Sequence, residues 1–210
     1  MKVKNGIYDG LNLKGIKKKK LGQKLNEIQN QPEDDKKEGD IYYTPNALAR
    51  ELISITPLHA GQSVLDPAKG TGSFYNNYPT DLRETSSAEI TEGSDFFAIT
   101  NKYDWLVTNP PFSNFKKWLI HSCSLAKVGF AYILPCHGLT EHRIRACADL
   151  GFNITSITFF KNPTEWNLGF QMAWVIWEKT PAGNITVLNH PKTHQLGLGQ
   201  WCRPEGVNGN

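Results

Sequence analysis

Two short apolar runs, each followed at once by a loop rich in glycine or proline, most constrain how this chain can fold. The first run is Val64-Leu65, and the loop Asp66-Pro67-Ala68-Lys69-Gly70-Thr71-Gly72-Ser73-Phe74 follows it. The second run is Trp105-Leu106-Val107-Thr108, and Asn109-Pro110-Pro111-Phe112 follows it. Short apolar runs of this kind are typical of buried strands in a parallel sheet. The two loops are therefore predicted to lie at strand ends and to act together.

Further apolar runs alternate with helical patterns along the chain. Strands are predicted at residues 85–90, 103–108, 130–134, 154–160 and 170–178, and helices at 44–55, 74–83, 113–129 and 140–150. Thr44-Pro45 and Ser113 are predicted helix starts, and Pro79 interrupts the second helix. This alternation predicts an α/β fold with a mostly parallel sheet that helices cover on both faces. The last two strands have no helix between them, so they are predicted to form an antiparallel hairpin at the sheet edge.

The excess positive charge of the chain lies in one segment. Residues 1–39 hold ten lysines against six acidic residues, whereas the formal net charge of all 210 residues is +3. No apolar period runs through this segment, so it is predicted to be a flexible basic arm. The arm either contacts phosphates through Lys17-Lys18-Lys19-Lys20 or is a solvated tail. Residues 40–180 are predicted to form the folded domain, and residues 181–210 a mostly irregular extension with one short strand at 185–188.

Composition argues against several classes of protein. The four cysteines form no Cys-x-x-Cys pair and no zinc-like Cys/His spacing, so no metal site is predicted. The chain has no apolar run of about 18 residues, and its lysine-rich N-terminus lacks the apolar segment of a secretory signal. We therefore expect a cytoplasmic protein that does not contact membranes.

The loop at residues 66–74 has the composition of a site for a nucleotide-like molecule. Its two glycines lack the Cβ that would keep the backbone away from a ligand. Glu89, at the end of the next strand, could accept hydrogen bonds from both hydroxyls of a ribose. Asp95, in the turn Gly93-Ser94-Asp95-Phe96-Phe97, could accept a hydrogen bond from an adenine amino group. Asp66 could meet a cationic amino group on the same molecule.

The loop at residues 109–112 has the composition of a site for a planar amino group. An amino group conjugated into a ring is a poor nucleophile, because its lone pair is delocalised. The side-chain oxygen of Asn109 and the carbonyl of Pro110 could accept its two N–H bonds and turn the lone pair toward an electrophile. Pro110 and Pro111 stiffen the turn, so these acceptors need no rearrangement during a reaction. Phe112 offers a flat face on which a base could stack.

These residues resemble the class I S-adenosylmethionine-dependent methyltransferases, in particular the enzymes that methylate the N6 amino group of adenine. The resemblance covers about residues 41–180 and implies a Rossmann-like sheet of seven strands with a reversed final strand. It implies S-adenosyl-L-methionine as the methyl donor. The residues implied for donor binding are Tyr43, Thr44, Pro45, Asp66, Pro67, Gly70, Gly72, Phe74, Glu89, Asp95, Phe96 and Asn109. The residues implied for catalysis are Asn109, Pro110, Pro111 and Phe112.

The resemblance further implies transfer of a methyl group to adenine in DNA, with the target base flipped out of the helix. Asn109 lies 43 residues after Asp66, which leaves no room for a recognition domain between the loops. This order looks like that of the gamma-type enzymes, where such a domain would be C-terminal. Only about 30 residues follow the predicted sheet, too few for that domain. A partner subunit for target recognition is therefore left open, as is a phage-like or mobile-element origin.

Four readings of the substrate and role remain open on the sequence alone. Adenine presents the same edge in DNA and RNA, so an RNA adenine methyltransferase is the second hypothesis; the Tyr43-Thr44-Pro45 element favours DNA. A protein glutamine-N5 methyltransferase is the third, although Phe112 in place of tyrosine argues against it. A noncatalytic partner that binds nucleic acid is the fourth, although both loops are intact. The resemblance also places Lys161, Asn162 and Trp166 near the acceptor pocket, as candidates for nucleic-acid contacts.

Overall fold

The computed structural model describes residues 42–189, and the predicted arm at 1–39 lies outside them, as does most of the predicted extension. The described chain contains three α-helices: α1 (Asn46–Ser54), α2 (Phe115–Leu125) and α3 (Glu141–Ala148). It contains seven strands: β1 (Ser63–Asp66), β2 (Glu84–Ser87), β3 (Tyr103–Thr108), β4 (Ala126–Pro135), β5 (Asn153–Phe159), β6 (Met172–Glu178) and β7 (Thr186–Asn189). The remaining turns include short 3-10 segments. No helix within the described residues is long and apolar enough to cross a membrane.

The strands form one sheet in the order β2-β1-β3-β4-β6-β5-β7. Strands β1 to β4 are parallel to one another, β6 runs antiparallel to both of its neighbours, and β7 is parallel to β5. Six strands therefore share one direction and only β6 is reversed. The predicted α/β class with a mostly parallel, Rossmann-like sheet is confirmed.

The reversed strand does not lie at the sheet edge, which corrects the prediction. β6 lies between β4 and β5, and β7 is the outermost described strand on that side. Burial explains the order. Residues 172–177 of β6 are buried on both faces, whereas β5 is mostly half-buried. A strand that is apolar on both faces is stabilised most in the interior of a covered sheet, so β6 pairs with β4. The antiparallel pairing of β5 with β6 agrees with the predicted hairpin.

Helices cover both faces of the sheet, as predicted. On one face, α2 and α3 pack through Phe115, Trp118, Leu119 and Cys147 against the central strands. On the other face, α1 packs through Ala49, Leu52 and Ile53, together with aromatic residues that follow β1. Because the core is closed on both faces, the open positions for chemistry are the loops at the strand ends.

Four local predictions were wrong. Residues 74–83 contain only a 3-10 turn at Tyr75–Asn77, because Pro79 leaves too few residues for a stable helix. Helix α2 begins after Asn114, which adopts a left-handed conformation, and not after Ser113. The same helix ends at Leu125 because β4 already begins at Ala126, four residues before the predicted strand. Pro45, and not Thr44, immediately precedes α1.

Candidate functional site

The two predicted loops leave the same edge of the sheet from adjacent strands. β1 pairs in parallel with β3, with Leu65 opposite Leu106, so residues 66–74 (the donor loop) and residues 109–112 (the acceptor loop) are neighbours. The Thr108 hydroxyl donates a hydrogen bond of 2.7 Å to Oδ1 of Asp66 and links the two strand ends directly. The fold therefore holds both loops at one place.

Asp66 is fully buried at the base of this site. Its carboxylate accepts hydrogen bonds from the Thr108 hydroxyl and from the backbone N–H groups of Ala68 (3.3 Å) and Tyr75 (3.2 Å). Burial raises the pKa of Asp66 to about 7, although these hydrogen bonds oppose the increase. Asp66 thus fixes the donor loop through these hydrogen bonds. In its ionised form it would attract a cationic ligand electrostatically.

The donor loop turns on two glycines with positive φ, Gly70 at 51° and Gly72 at 86°. The N–H of Gly70 donates to Oε2 of Glu89 at 2.8 Å, and Thr91 donates to Oε1 through its N–H (3.1 Å) and its hydroxyl (2.9 Å). Burial alone would raise the pKa of Glu89, but these hydrogen bonds lower it below its ordinary value. Glu89 is therefore a charged, half-exposed acceptor beside the glycine turn.

Lys69 of the donor loop is paired within the protein. Its ammonium group forms an ion pair with Glu92, with an Nζ–Oε2 distance of 2.6 Å. That hydrogen bond is the main cause of the raised pKa of Lys69. Since Glu92 follows Glu89 closely, the lysine ties the donor loop to the turn that carries the ribose-binding candidate.

A hydrogen bond of the side-chain amide holds Asn109 in one orientation. Its Nδ2 donates to the backbone carbonyl of Tyr42 at 2.8 Å. Its Oδ1 is buried and has no hydrogen-bond partner within the described residues. The Tyr42 carbonyl can accept a hydrogen bond only from the nitrogen of the Asn109 amide. A 180° flip of that amide would therefore break the bond. The acceptor loop thus presents an unused, buried oxygen.

Phe112 has an aromatic neighbour that the sequence did not predict. Its ring stacks on Tyr42 with the centroids 5.8 Å apart and an angle of 23° between the planes. The Tyr42 ring in turn contacts Trp166 edge-on at 6.2 Å. One face of the half-buried Phe112 ring is therefore covered by Tyr42.

The predicted Tyr43-Thr44-Pro45 element lies against the donor loop. The Tyr43 ring is 57% exposed, and a Cβ added to Gly70 would lie 3.4 Å from two of its ring carbons. Thr44 is buried, and Pro45 precedes α1. The glycine at position 70 thus allows the backbone to pass close under an exposed aromatic ring.

Several predicted donor-site residues are not open to a ligand through their side chains. Phe96 is buried and stacks on Trp118 at 4.4 Å, and Phe74 is buried and stacks on Trp174 at 5.5 Å. Pro67 is also buried. Asp95 is exposed, with Oδ1 accepting from the Phe97 N–H at 2.9 Å. These aromatic residues support the loops from the core, which their apolar character alone could not distinguish from ligand contact.

The three nucleic-acid candidates lie in the loop between β5 and β6 and differ in exposure and hydrogen bonding. Lys161 is exposed. Asn162 bridges the loop, because its Nδ2 donates to the Phe170 carbonyl (2.6 Å) and its Oδ1 accepts from the Met172 N–H (3.1 Å). Trp166 is only 5% exposed, and its indole N–H donates to the carbonyl of Tyr43 at 2.8 Å. Only Lys161 therefore has a side chain free to reach a partner from its surface position.

Sequence reasoning missed four residues of this site. Thr108 and Tyr42 adjoin the predicted motifs but carry no recognisable signal of their own. Phe170 is 39% exposed and lies edge-on to His137, with the centroids 5.0 Å apart, at the strand edge that carries the acceptor loop. Exposure of a large aromatic residue could not be deduced from a run of apolar letters. The described residues hold no group of histidine, cysteine and acidic side chains suited to a metal ion.

Comparison with known proteins agrees with this geometry. Residues 27–93, about a third of the chain, match the family model described as N-6 DNA Methylase. This match includes the donor loop and Glu89, and it begins inside the predicted arm. No curated protein shows significant sequence similarity to the chain.

Solved structures with the same fold include two modification subunits of type I restriction systems. A subunit of a putative type I enzyme from Vibrio vulnificus YJ016 is 15% identical, with a TM-score of 0.59, over 81% of this chain and 50% of that one. The methyltransferase subunit from Streptococcus thermophilus is 17% identical, with a TM-score of 0.55 and the same coverage. This chain therefore spans about half the length of those subunits.

A third structure with this fold is described as a putative RNA methyltransferase from Pyrococcus horikoshii. It is 17% identical, with a TM-score of 0.53, over 77% of this chain and 99% of that one. At these identities the likenesses show the fold, which is that of the class I methyltransferases. Together with the family match, they confirm the resemblance on which the sequence predictions rested.

Proposed function

We propose, from a class I methyltransferase fold whose residues 27–93 match the N-6 DNA Methylase family, that the chain methylates adenine in DNA at the N6 amino group. The observation that carries the proposal is the buried Oδ1 of Asn109, which has no partner among the described residues and lies one strand away from the glycine turn. A buried acceptor without a partner costs about 1–3 kcal/mol, so its retention supports a ligand that donates to it. A planar amino group is such a ligand.

The residues around the donor loop fit S-adenosyl-L-methionine. The half-exposed carboxylate of Glu89 suits the two ribose hydroxyls, and the exposed Tyr43 ring beside Gly70 forms an aromatic wall. Glu89 places negative charge at this strand end, and Asp66 adds to it in its ionised form, which favours a donor with a cationic sulfonium and a cationic amino group. When bound, the donor supplies an electrophilic methyl group. Positions 43–45, 66–74 and 89 are thus the proposed donor site; Asp95 is a further candidate on the surface.

The acceptor loop would orient the nucleophile. The two N–H groups of the amino group would donate hydrogen bonds to Oδ1 of Asn109 and to the carbonyl of Pro110. These bonds would point the nitrogen lone pair at the methyl carbon. With the donor bound, the nitrogen would form a bond to the methyl carbon as the sulfur–carbon bond broke. The neutral thioether would leave, and the nitrogen would release one proton to solvent. The face of Phe112 that Tyr42 leaves uncovered stacks on the flipped base.

Recognition of DNA is the finer part of the proposal. Exposed Lys161, Phe170 and His137 lie next to the ends of β5, β6 and β4, on the sheet edge that carries the acceptor loop, and suit phosphate and base contacts. The likeness to a putative RNA methyltransferase makes RNA the second candidate substrate. The chain spans about half the length of the type I subunits that it resembles. We therefore propose that target recognition comes from a partner subunit or from protein outside these 210 residues. A cytoplasmic location remains a prediction.

The test is a transfer assay with methyl-labelled S-adenosylmethionine. Unmethylated DNA, unmethylated RNA and cell-extract protein are offered separately, with and without a candidate partner subunit. Asn109→Ala removes the orienting acceptor, and we expect it to lower transfer by about 100-fold or more while the donor affinity stays within about 3-fold. Glu89→Ala is the matched variant on the donor side, and we expect it to weaken donor binding instead.

The outcomes separate the candidates. Label on DNA as N6-methyladenine supports the proposal, and label on RNA alone reassigns the substrate. Label on glutamine of a protein supports the third hypothesis. Donor binding without transfer to any acceptor, even with the partner present, would leave the chain as a noncatalytic subunit and overturn the proposal.

A further inference from the structure

The dipeptide Tyr42-Tyr43 contacts both loops of the proposed site. On the acceptor side, the Tyr42 carbonyl accepts from Nδ2 of Asn109 at 2.8 Å, and the Tyr42 ring stacks on Phe112. On the donor side, the ring of Tyr43 lies against Gly70. Two successive residues thus touch the nucleophile-orienting side chain and the glycine turn.

Trp166 fixes this dipeptide from the far side of the site. Its indole N–H donates to the carbonyl of Tyr43 at 2.8 Å, and its ring meets Tyr42 edge-on at 6.2 Å. Trp166 itself is 5% exposed and also packs edge-on against Phe160, with the centroids 6.4 Å apart. The tryptophan is therefore rigidly placed, although it lies 123 residues away in sequence from the residue it holds.

The orientation of Asn109 depends on this support. With its Nδ2 bound to the Tyr42 carbonyl, the amide leaves Oδ1 buried and without a partner among residues 42–189. An amide free to rotate would tend to satisfy its buried oxygen elsewhere, because an unpaired buried acceptor is costly. The Tyr42 carbonyl prevents this only while its own position is fixed.

We propose that Trp166 and Tyr42 are positioning residues that keep the Asn109 amide oriented for the acceptor amino group. Trp166 acts through the backbone of Tyr42-Tyr43 and not by contact with nucleic acid, the role that the sequence suggested. The inference rests on the proposed function for its catalytic consequence. Its structural part, the fixed amide of Asn109, stands independently of the substrate.

The effect should fall on the acceptor side more than on the donor side. Tyr43 is also anchored by the helix that follows it, because Thr44 is buried and the Pro45 carbonyl accepts from the Ala49 N–H at 3.0 Å. The side chain of Asn109 has no such second anchor among its contacts within the described chain. Loosening Tyr42 should therefore disturb the amide while it leaves most of the donor site in place.

The test compares Trp166→Phe with Trp177→Phe. Both variants replace a buried indole by a smaller ring, but Trp177 lies near the far end of β6, stacked on Phe130, and its N–H has no partner within the described residues. Trp166→Phe should lower kcat by about 10-fold or more, with the Kd of the donor within about 3-fold of wild type. Trp177→Phe should reduce thermal stability without a comparable loss of kcat.

A second readout does not depend on activity. In a ¹⁵N–¹H spectrum the side-chain NH₂ of Asn109 should give a sharp pair of resonances in the wild type and in Trp177→Phe. It should be shifted or broadened by exchange in Trp166→Phe. If the wild type methylates nothing, the proposed function fails, and this spectrum alone decides whether Trp166 positions Asn109.

The contradicting results are defined for each variant. A kcat for Trp166→Phe within about 2-fold of that for Trp177→Phe, with an unchanged Asn109 resonance, would overturn the inference. So would a loss of donor affinity as large as the loss of kcat. If Trp166→Phe is unfolded at the assay temperature, Tyr42→Leu replaces it: this variant removes the stacking ring but keeps the carbonyl. A loss of kcat in Tyr42→Leu supports the positioning role, and wild-type kcat overturns it.

Discussion

At the scale of single residues, the buried carboxyl group of Asp66 links the site to the stability of the whole fold. Its pKa of about 7 lies well above the ordinary value of 3.8, because burial disfavours the charged form. Between about pH 4 and pH 7 the folded state keeps a proton that the unfolded state has released. The free energy of unfolding contributed by this group therefore falls as the pH rises through that window, and it is constant above it.

Asp66→Asn should remove this dependence. The amide cannot ionise, so the stability of the variant relative to the wild type should be highest at pH 8 and should fall by roughly 1.4 kcal/mol for each pH unit below about 7. Urea unfolding at several pH values between 5 and 8 measures it. Burial lowers the pKa of His121, which gives an opposite slope in both proteins, so only their difference isolates Asp66. Parallel stability curves over this range would contradict the assignment.

Residue-scale predictions succeeded where a motif fixes the chemistry of a side chain. The glycines at 70 and 72 predicted a tight turn with close backbone approach, and both residues adopt positive φ. Residue type could not decide the role of Trp166, which was predicted to contact nucleic acid, because a tryptophan in a loop can either face a ligand or enter the core. Its hydrogen bond to Tyr43 spans 123 positions, and no local pattern reports a contact of that kind.

At the scale of elements, the order of β4, β6 and β5 depends on a close approach that only glycine permits. Gly129 of β4 lies between β3 and β6, opposite Trp105 on one side and Glu178 on the other. A Cβ at this position would lie 2.5 Å from the backbone oxygen of Trp177 and 2.7 Å from the ring of Trp105. The backbone oxygen cannot retreat without loss of the hydrogen-bonded ladder between β4 and β6.

Gly129→Ala should consequently destabilise the fold by about 3 kcal/mol, because overpacking against backbone atoms cannot be relieved by a side-chain rotation. Gly169→Ala is the matched control. No atom lies within 4 Å of a Cβ at Gly169, and we expect a change of less than about 1 kcal/mol there. Chemical denaturation of both variants measures the difference. Equal midpoints would show that β4 and β6 separate more easily than their ladder suggests.

The same elements show how far a sequence pattern reaches. Alternation of apolar runs and helical patterns predicted most of the strands, because their burial on both faces leaves a signal in composition. It could not predict which member of the β5–β6 hairpin pairs with β4, since both orders satisfy a hairpin. The segment after the donor loop was predicted as helix from its apolar residues. There Phe74 and Tyr78 instead fill the core on the α1 side of the sheet without helical structure.

At the scale of the whole molecule, the uneven charge of the chain suggests different roles for the N-terminal segment at residues 1–39 and for the rest of the chain. Residues 1–39 carry an excess of four positive charges, whereas the rest of the chain is close to neutral. Electrostatic binding of phosphates would then come mainly from outside the described fold. The family match, which begins at residue 27, leaves the lysine run at 17–20 outside the matched region.

Replacement of Lys17, Lys18, Lys19 and Lys20 by glutamine tests this division without shortening the chain. If the run neutralises phosphates of duplex DNA, the variant should bind more weakly at low salt. The slope of log K against log salt concentration should then fall by up to about 4, because each lost phosphate contact removes about 0.9. Methyl transfer at saturating DNA should stay close to wild type, since the donor and acceptor loops are untouched.

The matched control replaces Lys36 and Lys37, which lie in a stretch of mixed charge, and should change the slope less for each lysine removed. Binding isotherms at several salt concentrations give the slopes directly. An unchanged slope in the four-lysine variant would assign phosphate binding to other residues, with the exposed Lys161 as the first to replace.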